Sequence, residues 1–334
     1  MLNPSQKLNP KVFDKDVEQA PIREGFGEGL LQAAINDKRV VGLCADLTES
    51  TKMLAFKERF PERFIEIGVA EQNLASVASG MAAMGKIPFV SSYAMFSPGR
   101  NWEQIRTTIA YNNQPVKIAG SHAGISVGPD GGTHQAIEDI AITRVIPRMV
   151  VISPCDSIEA RKATIAAAQT TDPTYIRLAR EKTPVITTDA TPFTIGKASV
   201  VFQPTNEGIK LDVAIIATGA LVHRALLAAR KLEQSGKAVK VLNLSTIKPL
   251  DEDAVWRVAQ EAGAIVTVEE HQIAGGMGSA VAECIARHYP VPIEFVGVAD
   301  QFGQSGTPNE LIEHYGMGES HILAAAERAM LRKK

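Results

Sequence analysis

Short runs of apolar, largely β-branched residues alternate with longer stretches of helical period along most of this 334-residue chain. This alternation is the strongest constraint on the fold, because it favours parallel strands joined by helical crossovers over all-helical or all-β designs. Residues 40–44, 87–93, 116–120, 149–152 and 175–178 are apolar almost throughout, the pattern of strands covered on both faces. Residues 23–36, 71–84, 101–112 and 157–170 read as the helices between them. The pattern pauses at residues 187–194, Thr-Thr-Asp-Ala-Thr-Pro-Phe-Thr, where turn formers without helical spacing predict a linker. It resumes with strands at 213–217, 239–244, 264–268 and 293–298, and with helices at 222–234, 253–262, 279–288 and 320–331. The expected organisation is a flexible arm over 1–19, an α/β domain with a mainly parallel sheet over 20–186, a linker over 187–196 and a smaller α/β domain over 197–334.

Lys and Arg total 35 against 37 Asp and Glu, a formal net charge of −2, so bulk charge gives no reason to expect nucleic acid or an anionic membrane as partner. Hydrophobic residues at 45% and charged residues at 22% describe a folded chain rather than a disordered one. No uncharged apolar run approaches the ~20 residues of a membrane span. Residues 1–20 also lack the apolar core of a secretion signal. Cys44, Cys155 and Cys284 lie far apart and form no CxxC pair, so neither a disulfide framework nor a metal site is expected, and a reducing cytoplasm is.

In open α/β sheets, ligands bind outside the carboxyl ends of the strands. Asp46 follows the first run, Gly68-Val69-Ala70-Glu71 follows residues 64–67, and Phe96 and Arg100 lie beyond Tyr93. A carboxylate such as Glu71 in a first helical turn is ordinarily a dipole partner, worth ~0.3–1 kcal/mol. The helix that follows is rich in Ala, Ser and Gly, however, and admits a close partner helix; a carboxylate shielded there can act in proton transfer. Phe89, Tyr93 and Phe96 would by default pack a core. In a chain with 5% aromatics, three within eight residues at a ligand edge can also stack on a flat heterocycle. Residues 120–135 carry His122, Asp130 and His134 among glycines, without helical metal-ligand spacing and without the lysine of a phosphate loop. Donors and acceptors of fixed geometry there suit a hydroxylated substrate. Two other glycine patterns fail as dinucleotide turns: Gly25-x-Gly27-x-Gly29 follows no strand, and Gly276-x-Gly278-x-x-Val281 lacks the third glycine.

Taken in order, Asp46-Leu-Thr-Glu-Ser50, Gly68-Val-Ala-Glu71-Gln, the aromatic segment through Arg100 and the His122-to-Gln135 loop resemble the carboxyl-terminal half of transketolase, from Arg23 onward. The resemblance implies a pyrimidine-binding domain of the thiamine-diphosphate type followed by a transketolase carboxyl-terminal domain. It implies that Glu71 hydrogen-bonds the aminopyrimidine of thiamine diphosphate and takes part in catalysis with His134. Asp46, Phe89, Tyr93 and Phe96 would line the cofactor, with Phe96 the direct stacking contact. Arg23, Ser50, His122, Asp130, His134 and Arg180 would bind a sugar phosphate. The GDG…N motif that holds the diphosphate and its Mg2+ or Ca2+ in that family is absent here, because Asp130-Gly131 follows Pro129. The expectation is therefore one subunit of a split transketolase. An amino-terminal subunit would carry the metal, two copies of each chain would assemble, and a two-carbon ketol unit would pass between sugar phosphates, as in the pentose phosphate pathway. Alternatives are a 1-deoxyxylulose-5-phosphate synthase-like enzyme, the beta subunit of a 2-oxoacid dehydrogenase decarboxylating component, and a regulatory paralogue without activity.

Overall fold

Val40–Cys44 and Val213–Ala217 are buried at every position, as strands covered by helices on both faces must be. The structure is a computed structural model that describes residues 1–206 and 208–333. In chain order the strands are β1 (Gln19–Pro21), β2 (Val40–Cys44), β3 (Phe64–Glu66), β4 (Ile87–Tyr93), β5 (Lys117–Ser121), β6 (Val150–Ile152) and β7 (Thr174–Arg177). They continue as β8 (Lys182–Pro184), β9 (Ser199–Phe202), β10 (Val213–Ala217), β11 (Val239–Asn243), β12 (Thr246–Lys248), β13 (Ile265–Gln272) and β14 (Ile293–Val298).

Two α/β sheets result. The first has seven strands in the order β12-β6-β7-β5-β4-β2-β3, and the second has five in the order β14-β13-β10-β11-β9. Pairings within each are parallel except at β12 and β9, short antiparallel edge strands. Neither edge strand is evident in the sequence, because three or four residues carry too little periodicity. The β12 strand lies in the second half of the chain yet pairs with β6 of the first sheet, so the two units are interlocked.

The helix Ile22–Asn36 packs along the helix Ser157–Ala168, and small residues let them approach. A Cβ on Gly25 would strike the Ser157 carbonyl, and one on Gly29 would lie 2.7 Å from the Arg161 carbonyl. Helix packing thus explains Gly25 and Gly29, while Gly27 makes room for the Lys52 carbonyl, which a Cβ would strike.

Two expectations are corrected. Residues 1–19 are not a loose arm: Asn3 N donates to the Val201 carbonyl at 3.1 Å, Asn9 N donates to that of Ile186 at 2.9 Å, and β1 pairs with β8. Val12 is fully buried and Phe13 meets Phe202 edge-on, so apolar side chains anchor the segment across both units. The expected helix over 101–112 is instead a short turn, Trp102–Gln104, running into π-helix at Ile105–Ala110. The linker residues Thr187 and Thr191 are buried, and Asp156 accepts from Ile186 N and Thr187 N, so that stretch is irregular but fastened.

Candidate active site

The carboxyl ends of β2, β4, β5 and β7 lie side by side, because these strands are consecutive neighbours in the sheet. Asp46, His122 and Arg180 lie just beyond the ends of β2, β5 and β7 and Tyr93 is the last residue of β4, so topology alone gathers residues distant in sequence.

Glu71 is the first residue of the helix Glu71–Ala83, with Gly68 at φ +78° turning the chain out of β3. Its side chain is only 1% exposed. Arg100 Nη1 donates to Glu71 Oε2 at 2.6 Å, and Ser92 Oγ donates to Oε1 at 3.3 Å. Asn101 Nδ2 donates to the Glu71 carbonyl at 3.0 Å and to Ser97 Oγ at 3.2 Å. Sequence reasoning does not single out Arg100, Ser92 and Asn101 as site residues. Arg100 has a signal, its place just beyond the aromatic segment, whereas serine and asparagine at such positions carry none.

Beside this carboxylate stands a cluster of rings. Tyr93 stacks on the His122 imidazole with centroids 3.8 Å apart and on Phe96 at 6.3 Å. His134 meets Phe96 edge-on at 5.4 Å, and the Arg100 guanidinium lies over the Phe96 ring at 4.8 Å. Arg100 therefore joins the carboxylate to the aromatic face. Phe89 is not in the cluster. It shares a face of β4 with Tyr93, but four residues earlier, roughly 13 Å at strand rise. The helix Ile22–Asn36 covers that point, and Phe89 is fully buried against Phe26 at 6.4 Å. Phe89 is a core residue and, contrary to the expectation from the resemblance, does not reach the cleft that a cofactor could occupy.

Arg23 Nη1 donates to the Ser50 carbonyl at 2.5 Å and Nε to the Arg180 carbonyl at 3.2 Å. Arg180 Nη1 donates to the Val127 carbonyl at 2.7 Å and lies 3.4 Å from Asp130 Oδ1. Burial, then the like charge of Arg180, holds the Arg23 guanidinium below its usual pKa. Burial, then Arg23, Arg180 and His134, pushes His122 down to about 3. His122 is accordingly a neutral imidazole at physiological pH, one donor and one acceptor, with Nδ1 2.9 Å from Ser121 Oγ. The mutual repulsion of these cations is what an arriving anion would relieve.

Asp46 has an exposed carboxylate and a left-handed backbone, φ +58°. Its turn is set by Glu66, which accepts from Asp46 N at 2.7 Å, Gly68 N at 3.0 Å and Thr48 Oγ1 at 3.2 Å. Glu66 is a further residue that the sequence leaves unmarked, since its partners are two main-chain amides and a threonine hydroxyl that no motif connects to it. His134 Nδ1 lies 2.9 Å from Thr133 Oγ1, and Asp130 is exposed beside Arg180.

A buried acceptor carboxylate next to half-buried flat rings fits the aminopyrimidine head of thiamine diphosphate: Glu71 would hold it, and Phe96 and Tyr93 would face it. Nothing in this donor set fits its diphosphate and cation. Among the described residues, a group able to ligate a metal is Glu252, Cys284 and His288 on two helices of the second unit, where Arg287 already holds Glu252 at 2.6 Å.

Comparison with known proteins identifies the family of this fold. The family model described as transketolase, pyrimidine binding domain, matches residues 18–185, and that of the transketolase C-terminal domain matches residues 206–322. The chain is 42% identical over 321 residues to the 6-deoxy-6-sulfo-D-fructose transketolase subunit SqwH of Clostridium sp. (strain MSTE9), covering 96% of this chain and 98% of that one. It is 35% identical over 305 residues to an apulose-4-phosphate transketolase subunit of Phocaeicola vulgatus, covering 91% and 96%. A solved structure described as "Split gene transketolase, inactive beta4 tetramer" superposes with a TM-score of 0.86 at 41% identity, covering 94% of this chain and 99% of that one. The chain belongs to the transketolase family, with the pyrimidine-binding and carboxyl-terminal domains of a split subunit.

Proposed function

We propose that this chain is the carboxyl-terminal subunit of a split, thiamine-diphosphate-dependent transketolase that moves a two-carbon ketol unit from a ketose phosphate to an aldose phosphate. The observation that carries the reading is the carboxylate of Glu71, 1% exposed at a helix start, whose partner Arg100 lies over the Phe96 ring of a cluster that includes Tyr93, His122 and His134. In this reading residues 20–186 form the pyrimidine-binding domain and 197–334 the carboxyl-terminal domain. An amino-terminal partner contributes the diphosphate and Mg2+ or Ca2+ site, two copies of each chain assemble, and the enzyme works in the cytoplasm. Among the described residues no helix is long and apolar enough to cross a membrane.

Thiamine diphosphate, when bound, supplies the electron sink for breaking a carbon–carbon bond beside a carbonyl. The protein's part is orientation and proton handling. Glu71 would accept a hydrogen bond from the aminopyrimidine and fix its protonation state; Phe96 would hold the ring's plane. His122, neutral, would bind a substrate hydroxyl or carbonyl without carrying charge into the site. Arg23 and Arg180 would meet the substrate's anionic end through charge-assisted hydrogen bonds. Asp130 and His134 would accept from or donate to hydroxyls near the reacting carbon.

The relative named for a sulfo-sugar suggests a second reading at the same arginines, in which a sulfonate replaces the phosphate. One experiment separates the readings. The chain is mixed with a separately produced chain carrying GDG…N, thiamine diphosphate and Mg2+, then offered ketose phosphates and a 6-deoxy-6-sulfo ketose with an aldose phosphate acceptor. Ketol transfer from the phosphates supports the proposal, transfer confined to the sulfonate supports the second reading, and transfer from neither defeats both. Omission of the partner should abolish turnover.

A further inference from the structure

The carboxyl-terminal domain has no part in the chemistry just described, yet it holds the loop that carries Asp130 and His134. Between β5 and the helix Asp139–Arg144 the chain has no α-helix and no strand, only 3-10 turns over Ile125–Asp130 and one isolated parallel bridge, Ala123 to Ala136. Its support comes from the second unit. Glu270 Oε1, on β13, accepts from Ser126 N at 2.5 Å. Gln135 Nε2 donates both to the Ile125 carbonyl at 3.0 Å, within the loop, and to the Gln304 carbonyl at 2.9 Å, across the domain boundary. At the base, Arg177 pairs with Asp139 at 2.8 Å and donates to the carbonyls of Ala136, 3.1 Å, and Glu270, 2.8 Å.

The glycines of the loop follow the same surface. A Cβ on Gly132 would lie 2.6 Å from the Gly303 carbonyl, one on Gly131 would lie 2.7 Å from Ser305 Oγ, and one on Gly124 would strike the Glu270 carboxylate. In the other direction, a Cβ on Gly303 would strike Gln135 Oε1. The loop is cast against the segment Gly303–Gly306, and side chains are missing on both sides of the contact. Glu270 is only 4% exposed, and burial raises its pKa against the opposing pull of Arg177 and the Ser126 hydrogen bonds. A buried carboxylate committed to one main-chain amide is costly for mere packing, since an apolar side chain would fill the same space without desolvating a charge.

We propose that Glu270 and the segment around Gly303 are positioning elements for substrate recognition: the carboxyl-terminal domain sets the shape of the 122–135 loop and so places Asp130 and His134. The proposal rests on the assignment of those two residues to substrate, made above. It predicts a division of labour in which second-domain variants alter substrate binding while the cofactor head site stays intact.

The test uses the assembled enzyme with Glu270→Ala, Glu270→Gln and Gly303→Ala. Gly303→Ala and Glu270→Ala should raise the Michaelis constant for the sugar phosphate by about 10-fold or more with a smaller change in kcat, as the loss of a well-placed hydrogen bond to substrate does. Thiamine diphosphate affinity should stay within about twofold. Glu270→Gln, which keeps an acceptor oxygen for Ser126 N, should recover most of the loss. Equal effects on every kinetic constant, with no recovery by Gln, would assign these residues a structural role and overturn the proposal. A second measurement does not depend on the reaction: amide hydrogen exchange of residues 124–131 in the carboxyl-terminal subunit. Lost protection there in both Gly303→Ala and Glu270→Ala supports the clamp even if no ketose is turned over. Unchanged protection overturns it even if the enzyme is a transketolase.

Discussion

Glu71 and His134 both reach the sheet edge, but they are built in opposite ways. Glu71 is placed locally: a turn at Gly68 ends β3, a helix begins, Ser92 and Arg100 of the same unit fix the carboxylate, and Asn101 holds the Glu71 main-chain carbonyl. His134 sits on a loop whose shape is imposed by Glu270, Gly303 and Ser305, far along the chain in the other unit. The locally built half is therefore expected to tolerate changes in the second domain, and the loop half is not. This contrast is a claim about separability, and substitutions on either side can break it.

The largest expected effect is on the local side. Glu71→Gln keeps the side-chain volume and the hydrogen bond to Ser92 but removes the charge that pairs with Arg100, so the fold should persist. Turnover by the assembled enzyme should fall on the order of 10²–10⁴-fold, the usual cost of removing a proton-transfer group. Size-exclusion chromatography confirming assembly, with steady-state rates, checks this. A rate within a few-fold of the parent removes Glu71 from the chemistry and takes the contrast with it.

Next comes the pair Phe89 and Phe96, neighbours in sequence with different surroundings. Phe89→Ala opens a cavity in the core beside Phe26 and should cost about 3–5 kcal/mol of stability. At a temperature where the variant is folded, cofactor affinity should be close to that of the parent. Phe96→Ala, at a half-exposed position, should do the reverse, weakening cofactor binding with a stability loss below about 1.5 kcal/mol. Denaturant melts and cofactor titrations on both variants decide it.

A smaller effect is expected at the arginines. Arg180→Ala removes a charge that faces Asp130 and the Val127 carbonyl, on the loop side. The Michaelis constant for a phosphorylated acceptor should rise roughly 10–100-fold, corresponding to about 1.5–3 kcal/mol for a charge-assisted bond. An unphosphorylated aldehyde should be affected much less. Equal losses on both would mean that Arg180 shapes the loop without meeting the anion.

The two halves also differ in how far the sequence discloses them. Strands at 213–217 and 293–298 and the helix at 222–234 fall where the apolar periodicity places them, because burial on both faces writes itself into composition. Glu71, Tyr93, Phe96, His122 and Arg180 are visible as residues that follow strand ends. What stays hidden is non-local. Proximity in sequence to Tyr93 draws Phe89 toward the site, and only the covering helix Ile22–Asn36 shows that it belongs to the core. Glu270 follows Glu269 in an ordinary acidic dipeptide, and its partner is a main-chain amide 144 residues earlier, which no spacing rule connects. The edge strand β12 crosses units for the same reason. Short-range pattern records burial, whereas pairing between distant segments leaves little trace in composition.

The mildest expected effect uses one histidine from each half. Burial pushes His122 down to about 3 and His271, on β13, down to about 4. Both are below the ~6.5 of an unfolded chain. Between these values each histidine binds more protons in the unfolded state than in the folded one, so the stability these two groups contribute is greatest above pH ~6.5 and declines as the pH falls toward about 4, while the buried Glu159 and Glu269 carboxyls, raised to about 7, act in the opposite direction. Replacing His271 by Asn removes the proton uptake of one site and should flatten that decline, as measured by denaturant midpoints from about pH 7.5 to about pH 4.5. His122→Asn should flatten it as well. Because the two imidazoles sit in different units, their contributions should add. Failure to add would mean that the loop and the second domain titrate as one body, with the Glu270 contact transmitting charge as well as shape. Clean additivity would confine the clamp to geometry, with no electrostatic share.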